Sequence, residues 1–335
     1  MDVSIIIVNW NTRDFLRDCL SSVFNQTQGI EFEVIVIDNG SSDRSVQMVE
    51  AEFPQVTIIA NAENRGFAAA NNQGMAIARG RYVLLLNSDT VVLDNAIAKT
   101  VKFADEHPQA AVVGCKVLNP DRTLQRDCFM YPSPLNMLLA ATHLYKIFPK
   151  SRFFGREEMT WWDYNDVREV ETICGCFSLV RNEAIKQVGL MDEMYFVYGD
   201  DPDWCYRFKK KCWKVLFVPN AQIIHYGGQT TKYMASAFLL QLHGARLMFI
   251  KKHRDALSFR LACFFTALFF LLRVPYWAIV AVLNRSERKR AAATAWTYLK
   301  GARCCLVRWE DLLMNKGAVT TRATKEIARE AWSGS

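Results

Sequence analysis

Three carboxylates lie close together in the run Asp200-Asp201-Pro202-Asp203, directly before Trp204. Adjacent carboxylates raise each other's pKa, which is one route to a general base that takes a hydroxyl proton near neutral pH. The alternative is structural, because an Asp before Pro caps a helix and another acid suits its first turn. Capping accounts for one or two of these acids but not for all three. The tryptophan offers a face for stacking on a sugar ring, and a core position fits its type as well.

A second candidate group, Asn87-Ser88-Asp89, follows the apolar run YVLLL. A carboxylate beside another oxygen donor suits a hard divalent cation, which keeps positions for water and substrate phosphates. An Asp that caps the following helix would give the same pattern, so the spacing alone is weak evidence. His225, in IIHYGGQTT, is on its own more typical of a structural histidine. If Asp89 and His225 converge, one carboxylate and one imidazole would leave a divalent ion open to a diphosphate.

Polar residues also follow the other apolar runs of strand length. Asn9 follows VSIIIV, Asp38 ends IVID, and Asn64 and Arg65 come after a third run. Open α/β sheets bind their ligands at the carboxyl ends of the strands. At such a strand end, Asp38 can accept hydrogen bonds from a ribose hydroxyl or a base N–H. Residues 39–42 are explained more simply as a turn and a helix cap.

The elements that must position these residues alternate between strands and helices. Apolar, β-branched runs at residues 3–8 and 32–37 enclose helical spacing at residues 12–24, which predicts a βαβ unit with buried parallel strands. Further helices are predicted near residues 42–53, 68–78, 202–211 and 234–249, and further strands at 56–59, 82–86, 173–180 and 214–218. The alternation predicts an α/β fold. Residues 120–170 are irregular and aromatic-rich, and no element is predicted there.

Several classes of protein are disfavoured by the sequence. It contains neither G-x-G-x-x-G nor G-x-x-x-x-G-K-[ST], which disfavours a dinucleotide dehydrogenase and a P-loop NTPase. Its ten cysteines form no C-x-x-C pair and no zinc-ligand spacing, so a reducing cytosol fits better than a disulfide scaffold. Residues 1–9 enter a strand directly, and we therefore expect no secretory signal.

Charge is divided unevenly along the chain. Residues 246–335 contain 17 Lys and Arg against 6 Asp and Glu, whereas residues 1–245 contain 24 against 28. The mildly acidic first part lacks the basic footprint of a nucleic-acid-binding protein, and we expect no nucleic-acid partner. The basic second part is interrupted by a strongly apolar run at residues 261–283. This combination is typical of contact with an anionic membrane surface.

The apolar run at residues 261–283 would be about 34 Å long as one helix. Arg273 and Pro275 lie in its middle and divide it into two pieces, each too short to cross a bilayer. A central arginine costs about 2.5 kcal/mol or more in membrane insertion, and basic clusters flank both ends of the run. We therefore predict a re-entrant or in-plane helical pair. A buried core helix of a soluble domain is the alternative.

Taken together, the motifs resemble those of the family 2 glycosyltransferases with a GT-A fold, in particular the bacterial rhamnosyltransferases of O-antigen and cell-wall polysaccharide assembly. They cover about residues 3–230 in order and at plausible intervals. Each is weak alone, and the combination is specific. The matching stretches are VSIIIVNWN, VIVIDNGSSD, NAENRGFAAANNQG, YVLLLNSD, GCFSLVRNEAIKQVGLMDEMYFVYGDDPDWCYR and IIHYGGQT.

The resemblance implies a metal site for Mg²⁺ or Mn²⁺. Asn87-Ser88-Asp89 stands where the family has its D-x-D motif, with Asp89 as a metal ligand and His225 as the second ligand. Asn87 replaces the first acid of that motif, so contact with the ribose there would be made by an amide.

The resemblance also implies roles in binding and catalysis. Asp201 matches the second acid of the family's E-D or D-D pair, the general base, while Asp200 stands where Glu is common. We expect Asp203 and Trp204 to contact the acceptor. The residues expected to bind the nucleotide-sugar donor are Asn9, Asp38, Asn64, Arg65, Asn87, Ser88 and Gly175.

The implied architecture is a GT-A domain over residues 1–232, Rossmann-like with a mostly parallel central sheet flanked by helices, followed by a helical membrane-associating region over residues 233–335. The implied reaction is an inverting, metal-dependent transfer of a sugar, rhamnose from dTDP-rhamnose, to a hydroxyl of a polyprenyl-diphosphate-linked saccharide. It would serve cell-surface polysaccharide synthesis. The protein would be peripheral or monotopic at the cytoplasmic face of the bacterial inner membrane, bound to its anionic surface.

Two other functions use a similar sheet. One is a nucleotide-sugar binding protein without turnover, which would release no nucleoside diphosphate. The other is a nucleotidyltransferase, which usually needs a basic glycine-rich loop near its N-terminus to hold a triphosphate. The segment VNWNTRDF is not such a loop.

Overall fold

The computed structural model describes residues 1–228 and 235–313. In this part of the chain a large mixed sheet is covered by helices on both faces, and a small two-stranded sheet lies beside it. The strands are β1 (Val3–Asn9), β2 (Phe32–Asp38), β3 (Thr57–Ala60), β4 (Tyr82–Asn87), β5 (Thr90–Leu93), β6 (Ala110–Leu118), β7 (Leu124–Gln125), β8 (Cys128–Phe129), β9 (Arg168–Glu169), β10 (Thr172–Ile173), β11 (Phe177–Arg181) and β12 (Lys214–His225).

The helices follow the predicted alternation in the first part of the chain and then run consecutively after β12. They are α1 (Arg13–Gln26), α2 (Ser45–Glu52), α3 (Phe67–Ile77), α4 (Ala96–Glu106), α5 (Pro134–Thr142), α6 (Leu144–Ile147), α7 (Asn182–Val188), α8 (Asp200–Lys210), α9 (Ala235–His253), α10 (Ala256–Leu271), α11 (Val274–Leu283) and α12 (Arg288–Val307). A 3₁₀ helix at Trp309–Leu312 ends the described chain.

The large sheet has the strand order β3-β2-β1-β4-β11-β6-β12-β5, with β7 paired to β6 and β9 to β12. Strands β3, β2, β1 and β4 are parallel neighbours, and β6 is parallel to β12, whereas β11 and β5 run antiparallel to their neighbours. The predicted α/β fold with a mostly parallel central sheet is confirmed. Because Asn9 pairs with Asp38 and Val8 with Asn87, the carboxyl ends of three strands meet at one edge.

Two strands differ from the sequence prediction. The strand expected at residues 173–180 is broken into β10 and β11, because the backbone N–H of Gly175 donates to the carboxylate of Asp201 rather than to a neighbouring strand. The strand expected at residues 214–218 continues as β12 to His225, with an irregular register between Val218 and Gln222. Both departures bring polar groups to the same edge of the sheet.

The segment without predicted elements, residues 120–170, contains two helices and several two-residue strands. Helix α5 begins at Pro134, and the Ser133 hydroxyl accepts a hydrogen bond from the backbone N–H of Asn136 at 3.2 Å. This pairing of a serine cap with proline in the first turn is a recognised start signal. The aromatic side chains Trp162 and Tyr164 are buried against Phe217, so they pack in the core.

The core lies on both faces of the sheet. One cluster joins the sheet to α1, α2 and α4. The other joins it to α3, α7 and α8, and also to α9, α10 and α12. Helices from both sides of the predicted boundary between residues 232 and 233 therefore share one hydrophobic cluster. The boundary itself lies outside the described residues.

The apolar run is divided as predicted. Ala256–Leu283 is, among the described residues, the one stretch that is long and apolar enough to cross a membrane by length and composition. It folds as α10 and α11, with Arg273 directly before the first turn of α11. One face of α10 packs into the core through Ala262, Thr266 and Phe270, whereas α11 has no buried residue.

Candidate functional site

A cleft of about 340 Å³ opens where the carboxyl ends of β1, β2 and β4 meet the start of α8. Its polar wall combines amides, carboxylates and one imidazole, while aromatic side chains and small residues form the rest. The lining residues are Val8, Trp10, Asn39, Asn64, Gly66, Phe67, Asn87, Ser88, Asp89, Cys174, Gly175, Cys176, Phe196, Val197, Tyr198, Asp200, Asp201, His225, Gly228 and Phe238.

Asp89 and His225 converge in this cleft. The antiparallel pairing of β5 with β12 places His225 opposite Thr90, and the backbone N–H of Tyr226 donates to the carbonyl of Asp89 at 3.0 Å. As a result, Nε2 of His225 lies 3.2 Å from Oδ1 of Asp89 and 3.3 Å from the amide nitrogen of Asn87. The condition under which the sequence predicts a metal role for His225 is met.

Gln125 fixes the orientation of this imidazole. Its amide nitrogen donates to the carbonyl of His225 at 3.1 Å and to Oδ1 of Asn119 at 2.8 Å, which leaves Oε1 facing Nδ1 of His225 at 2.6 Å. Because Oε1 is an acceptor, Nδ1 carries the proton. Nε2 is then the nitrogen whose lone pair faces Asp89, the arrangement that a metal-binding histidine requires.

The donor set of this pair fits a divalent cation. A positive charge between Nε2 and the carboxylate oxygen favours their 3.2 Å separation, and either a proton on Nε2 or a metal ion bound by both atoms supplies it. Within the described residues there is no group of three or more His, Cys, Asp and Glu side chains arranged around a common point. Two protein ligands would leave most positions of an octahedral ion open to phosphate oxygens and water.

Asp201 lies at the start of α8 and also lines the cleft. Gly199, with φ +82°, precedes the helix, and the first turn carries Asp200 and Asp201. The backbone N–H of Gly175 donates to Oδ2 of Asp201 at 2.9 Å. Burial raises the pKa of Asp201 to about 6, and the hydrogen bond from Gly175 opposes this rise. A half-buried carboxylate with this pKa is suited to take a proton near neutral pH.

Asp200 is a different kind of acid from its neighbour. Its side chain is buried, and Oδ2 has no hydrogen-bond partner within the described part of the chain. Burial, followed by the nearby charge of Asp201, raises its pKa well above the ordinary value. Of the two adjacent acids, Asp200 is therefore the one whose negative charge is more strongly disfavoured.

At Gly175 the backbone lies close to the carboxylate of Asp201. A side chain there would place its first carbon 2.8 Å from Oδ1 of Asp201 and 3.1 Å from the ring of Phe67. Only a glycine leaves room for the backbone N–H to reach the carboxylate. Gly175 lines the cleft, its expected contact with the donor stays a prediction, and its N–H holds the Asp201 carboxylate in place.

Asn64 lines the cleft together with an amide that the sequence pattern assigns to a turn. The side chain of Asn39 donates from Nδ2 to Oδ1 of Asn64 and to the carbonyl of Gly66, both at 3.2 Å. Gly66, with φ +88°, lies where any side chain would meet the carbonyl of Phe196 at 2.5 Å. Asn39 could have been predicted as a cleft residue from the sequence, because it directly follows Asp38 at the end of β2.

Three predicted donor contacts do not line the cleft. Asn9 and Asp38 are buried behind it, with Nδ2 of Asn9 donating to Oδ2 of Asp38 at 2.8 Å. The other oxygen of Asp38 accepts from the backbone N–H of Ser41 at 2.8 Å. Arg65 has an exposed side chain outside the lining. In this structure Asn9 and Asp38 support the ends of β1 and β2 from within.

Asp203 is not placed for acceptor contact, which corrects the sequence expectation. It is fully buried one turn along α8 from the cleft, and four groups donate to it. Oδ1 accepts from Nζ of Lys252 and Nε2 of His253, both at 2.7 Å, and Oδ2 accepts from Nε of Arg207 at 2.9 Å. Burial alone would raise its pKa, but these donors lower the pKa to about 2. Its carboxylate joins α8 to α9.

Trp204 is likewise in the core rather than in the cleft. Its indole N–H donates to the carbonyl of Gly189 at 2.9 Å, and its ring lies 5.1 Å from that of Phe208. The side chain is buried, so it offers no face to a sugar. The aromatic residues that do line the cleft include Trp10, Phe67 and Phe196, and nothing in their sequence context predicts that position.

The family of the protein follows from comparison with known sequences. A model of the family described as Glycosyl transferase family 2 matches residues 4–189, more than half of the chain. The chain belongs to glycosyltransferase family 2. The match includes Asp89 and Gly175 and ends before the acids of α8.

Two relatives of this glycosyltransferase are named for rhamnosyl transfer and for O-antigen biosynthesis. It is 25% identical over 257 residues to the N-acetylglucosaminyl-diphospho-decaprenol L-rhamnosyltransferase of Mycobacterium tuberculosis, covering 73% of the chain and 83% of the relative. It is 25% identical over 229 residues to the O-antigen biosynthesis protein RfbC of Myxococcus xanthus, covering 67% of the chain and 17% of that relative.

The fold of the glycosyltransferase is shared with a solved structure. It matches the mannosyltransferase PcManGT from Pyrobaculum calidifontis, in complex with GDP-Man and Mn²⁺, with a TM-score of 0.55 and 16% identity. The match covers 91% of this chain and 87% of the mannosyltransferase. The predicted GT-A fold is confirmed.

Proposed function

We propose that the protein is an inverting, metal-dependent glycosyltransferase that transfers rhamnose from dTDP-rhamnose to a hydroxyl of a polyprenyl-diphosphate-linked saccharide. The observation that carries this proposal is that two groups of side chains line the same cleft. A carboxylate with a pKa of about 6, Asp201, shares it with the converging pair Asp89 and His225. The former suits a base for a hydroxyl, and the latter suits a metal that neutralises a diphosphate.

The reaction needs a single displacement. Asp201 accepts the proton of the acceptor hydroxyl as its oxygen attacks C1 of the donor sugar, and the bond from C1 to the diphosphate breaks. Attack from the face opposite the leaving group inverts the configuration at C1. Gly175 orients Asp201 through its N–H, while the raised pKa of Asp200 disfavours a second negative charge beside the base.

Asp89 and His225 would hold Mg²⁺ or Mn²⁺, whose positive charge stabilises the nucleoside diphosphate as it leaves. Gln125 keeps Nε2 of His225 free for this purpose. Asn87 and Ser88, which line the cleft beside Asp89, would contact the ribose and phosphate of the donor. Asn64 would contact the base side of the nucleotide, in the part of the cleft that it shares with Asn39.

The choice of rhamnose and of a lipid-linked acceptor is supported by the relatives rather than by the cleft. The mycobacterial relative is named for transfer of L-rhamnose to N-acetylglucosaminyl-diphospho-decaprenol, and it matches over most of both chains. By this analogy the product would enter cell-surface polysaccharide synthesis. The same analogy favours an acceptor with a polyprenyl-diphosphate anchor.

An acceptor of this kind requires the enzyme to work at a membrane. Helix α11 is apolar throughout and has no buried residue, and the exposed residues Arg285, Arg288, Lys289 and Arg290 follow it. Apolar helices bordered by cations lie at anionic bilayer surfaces. We therefore place the protein as a peripheral or monotopic enzyme at the cytoplasmic face of the bacterial inner membrane.

The proposal is tested by measuring nucleoside diphosphate release from a panel of donors that includes dTDP-rhamnose, UDP-GlcNAc and GDP-mannose. The acceptor is polyprenyl-diphosphate-GlcNAc in detergent, and each reaction is run with Mn²⁺, with Mg²⁺ and with EDTA. The proposal predicts metal-dependent, acceptor-stimulated release from dTDP-rhamnose. Release from another donor would correct the sugar, whereas no release from any donor by protein that binds nucleotide would indicate a non-catalytic binder.

A further inference from the structure

A segment outside the lining of the cleft exposes large apolar side chains to solvent. It comprises residues 146–153, the end of α6 and the chain that follows it, and is here named the 146–153 loop. In it, Ile147, Phe148 and Phe153 are 67%, 49% and 53% exposed. Phe148 and Phe153 both lie against Phe154, with ring centroids 5.3 Å from it in each case. The exposed rings therefore form a small apolar cluster. Grouped apolar side chains of this size on a surface mark a contact site rather than chance exposure.

The charge of this loop has one sign. Lys146, Lys150 and Arg152 have exposed side chains and alternate with the apolar residues. The sequence contains no Asp or Glu between Asp127 and Glu157. Glu158 lies close enough to Lys146 to interact with its charge, so the cations free of a nearby acid in sequence are Lys150 and Arg152. Exposed cations beside aromatic side chains favour an anionic partner that also has an apolar interior.

The loop begins where the apolar helices are attached to the catalytic part of the protein. Arg273, at the junction of α10 and α11, donates to the carbonyls of Ala140 and Ala141 at 3.3 and 3.4 Å, and its guanidinium also contacts His143. These residues form the C-terminal end of α5, where a cation is favourable. The 146–153 loop follows within a few residues. The two exposed apolar segments, which are distant in sequence, thus both start near the contact of Arg273 with the end of α5.

We propose that the 146–153 loop and helix α11 form one docking surface for an anionic phospholipid bilayer. Aromatic side chains of the loop enter the level of the headgroups, and its three cations contact lipid phosphates. The two segments fix the orientation of the protein on the bilayer at two separate points, with Arg273 between them. This inference rests on the membrane location proposed above and adds a second element to it. It does not depend on which sugar is transferred.

The 146–153 loop is tested by sedimentation of the full-length protein with vesicles, in the absence of any substrate. The vesicles contain either phosphatidylcholine alone or 30% phosphatidylglycerol. One variant carries Phe148→Ser and Phe153→Ser, and another carries Lys146→Glu, Lys150→Glu and Arg152→Glu. We expect each variant to bind phosphatidylglycerol vesicles at least about tenfold more weakly than the wild type, because one loses the apolar contact with the bilayer and the other loses the attraction of three cations to the lipid phosphates.

Matched controls separate the loop from general surface effects. Met194→Ser removes an exposed apolar side chain elsewhere, and Lys102→Glu, Lys186→Glu and Lys211→Glu together remove three exposed cations. Both controls should bind vesicles nearly as the wild type does. All variants should unfold at the wild-type temperature and release nucleoside diphosphate at the wild-type rate with a detergent-solubilised acceptor, because the loop does not line the cleft.

Three results would overturn the inference. In the first, both loop variants bind vesicles as the wild type does, and only an α11 variant such as Ile279→Ser with Val282→Ser loses binding. This result would assign docking to the helix alone. Self-association of the wild type without vesicles, abolished by the loop variants, would assign the surface to a second copy of the chain. A wild-type protein that binds no vesicles would overturn the membrane location as well. None of these results bears on the transfer reaction, which is measured separately in detergent.

Discussion

The imidazole Nε2 of His225 lies 3.2 Å from Oδ1 of Asp89, although Asp89 is in the turn between β4 and β5 and His225 ends β12, far away in sequence. The pairing of β12 with β5 brings them together, and Gln125 holds the imidazole so that Nε2 carries a lone pair. A carboxylate and an imidazole in this arrangement are suited to share a divalent cation. The first two predictions concern this pair.

Removal of either proposed ligand should weaken metal-dependent donor binding. Asp89→Ala and His225→Ala are each expected to raise the Mn²⁺ concentration for half-maximal nucleotide binding by more than about 100-fold, because even residues behind a metal ligand are worth about 10- to 100-fold. Titration calorimetry with the nucleoside diphosphate at several Mn²⁺ concentrations measures this change. Asp163→Ala, at an exposed acid outside the cleft, is the control. Full activity of both ligand variants in EDTA would exclude the metal site.

Gln125 should act through His225. Gln125→Leu removes the acceptor for the Nδ1 proton and is expected to lower Mn²⁺ affinity about 10- to 100-fold, with kcat at saturating metal changed much less. Gln125→Glu keeps an acceptor at this point and should retain most of the affinity. If Leu and Glu at this position lowered the affinity equally, the role of Gln125 would be in packing and not in the orientation of the imidazole.

The raised pKa of Asp201 predicts an acidic limb in the pH profile of transfer. The base must be deprotonated, so kcat/KM should be constant at higher pH and fall below about pH 6, approaching a tenfold loss per pH unit. Donor affinity measured over the same range separates this effect from changes in binding. A kcat/KM that stays constant down to pH 4.5 would exclude a base with this pKa.

Asp203 should contribute to stability and not to catalysis directly. Asp203→Asn leaves the charges of Lys252 and Arg207 without a buried counterion and is expected to lower the free energy of unfolding by about 3 kcal/mol. The pKa of Asp203 is lowered on folding, so its stabilisation is full above about pH 4 and is lost as the pH falls towards 2. Urea unfolding of the variant and of Asp163→Asn, between pH 3 and 7, measures both effects. Equal stability of the two would exclude the buried network as a source of stability.

The sequence was sufficient for the parts of the fold that depend on local patterns. The strands that end at Asn9, Asp38 and Asn87 are continuous apolar runs, which identifies them as buried parallel strands. Parallel strands bring the polar residues at their carboxyl ends to one edge of the sheet. The division of the apolar run at Arg273 also follows from local chemistry, because a charge and a proline interrupt it. These features need no knowledge of contacts between distant segments.

The features that the sequence did not predict depend on such contacts. In sequence, Asp203 cannot be distinguished from the acids Asp200 and Asp201 beside it. Its partners Lys252 and His253, which set it apart, come from α9. Gln125 lies in a segment of short strands whose pairing is set by the larger sheet. The break at Gly175 depends on the N–H that this residue donates to Asp201. In each case a long-range hydrogen bond decides the role.

The most direct test of the central claim compares the wild type with Asp201→Asn in acceptor-dependent release of nucleoside diphosphate. The amide keeps the shape of the side chain and removes the base, so we expect transfer to fall by about 10²- to 10⁴-fold, with donor affinity within about twofold of the wild type. Transfer at the wild-type rate by Asp201→Asn would contradict the assignment of the base. Loss of donor binding in this variant would instead place Asp201 in the nucleotide site.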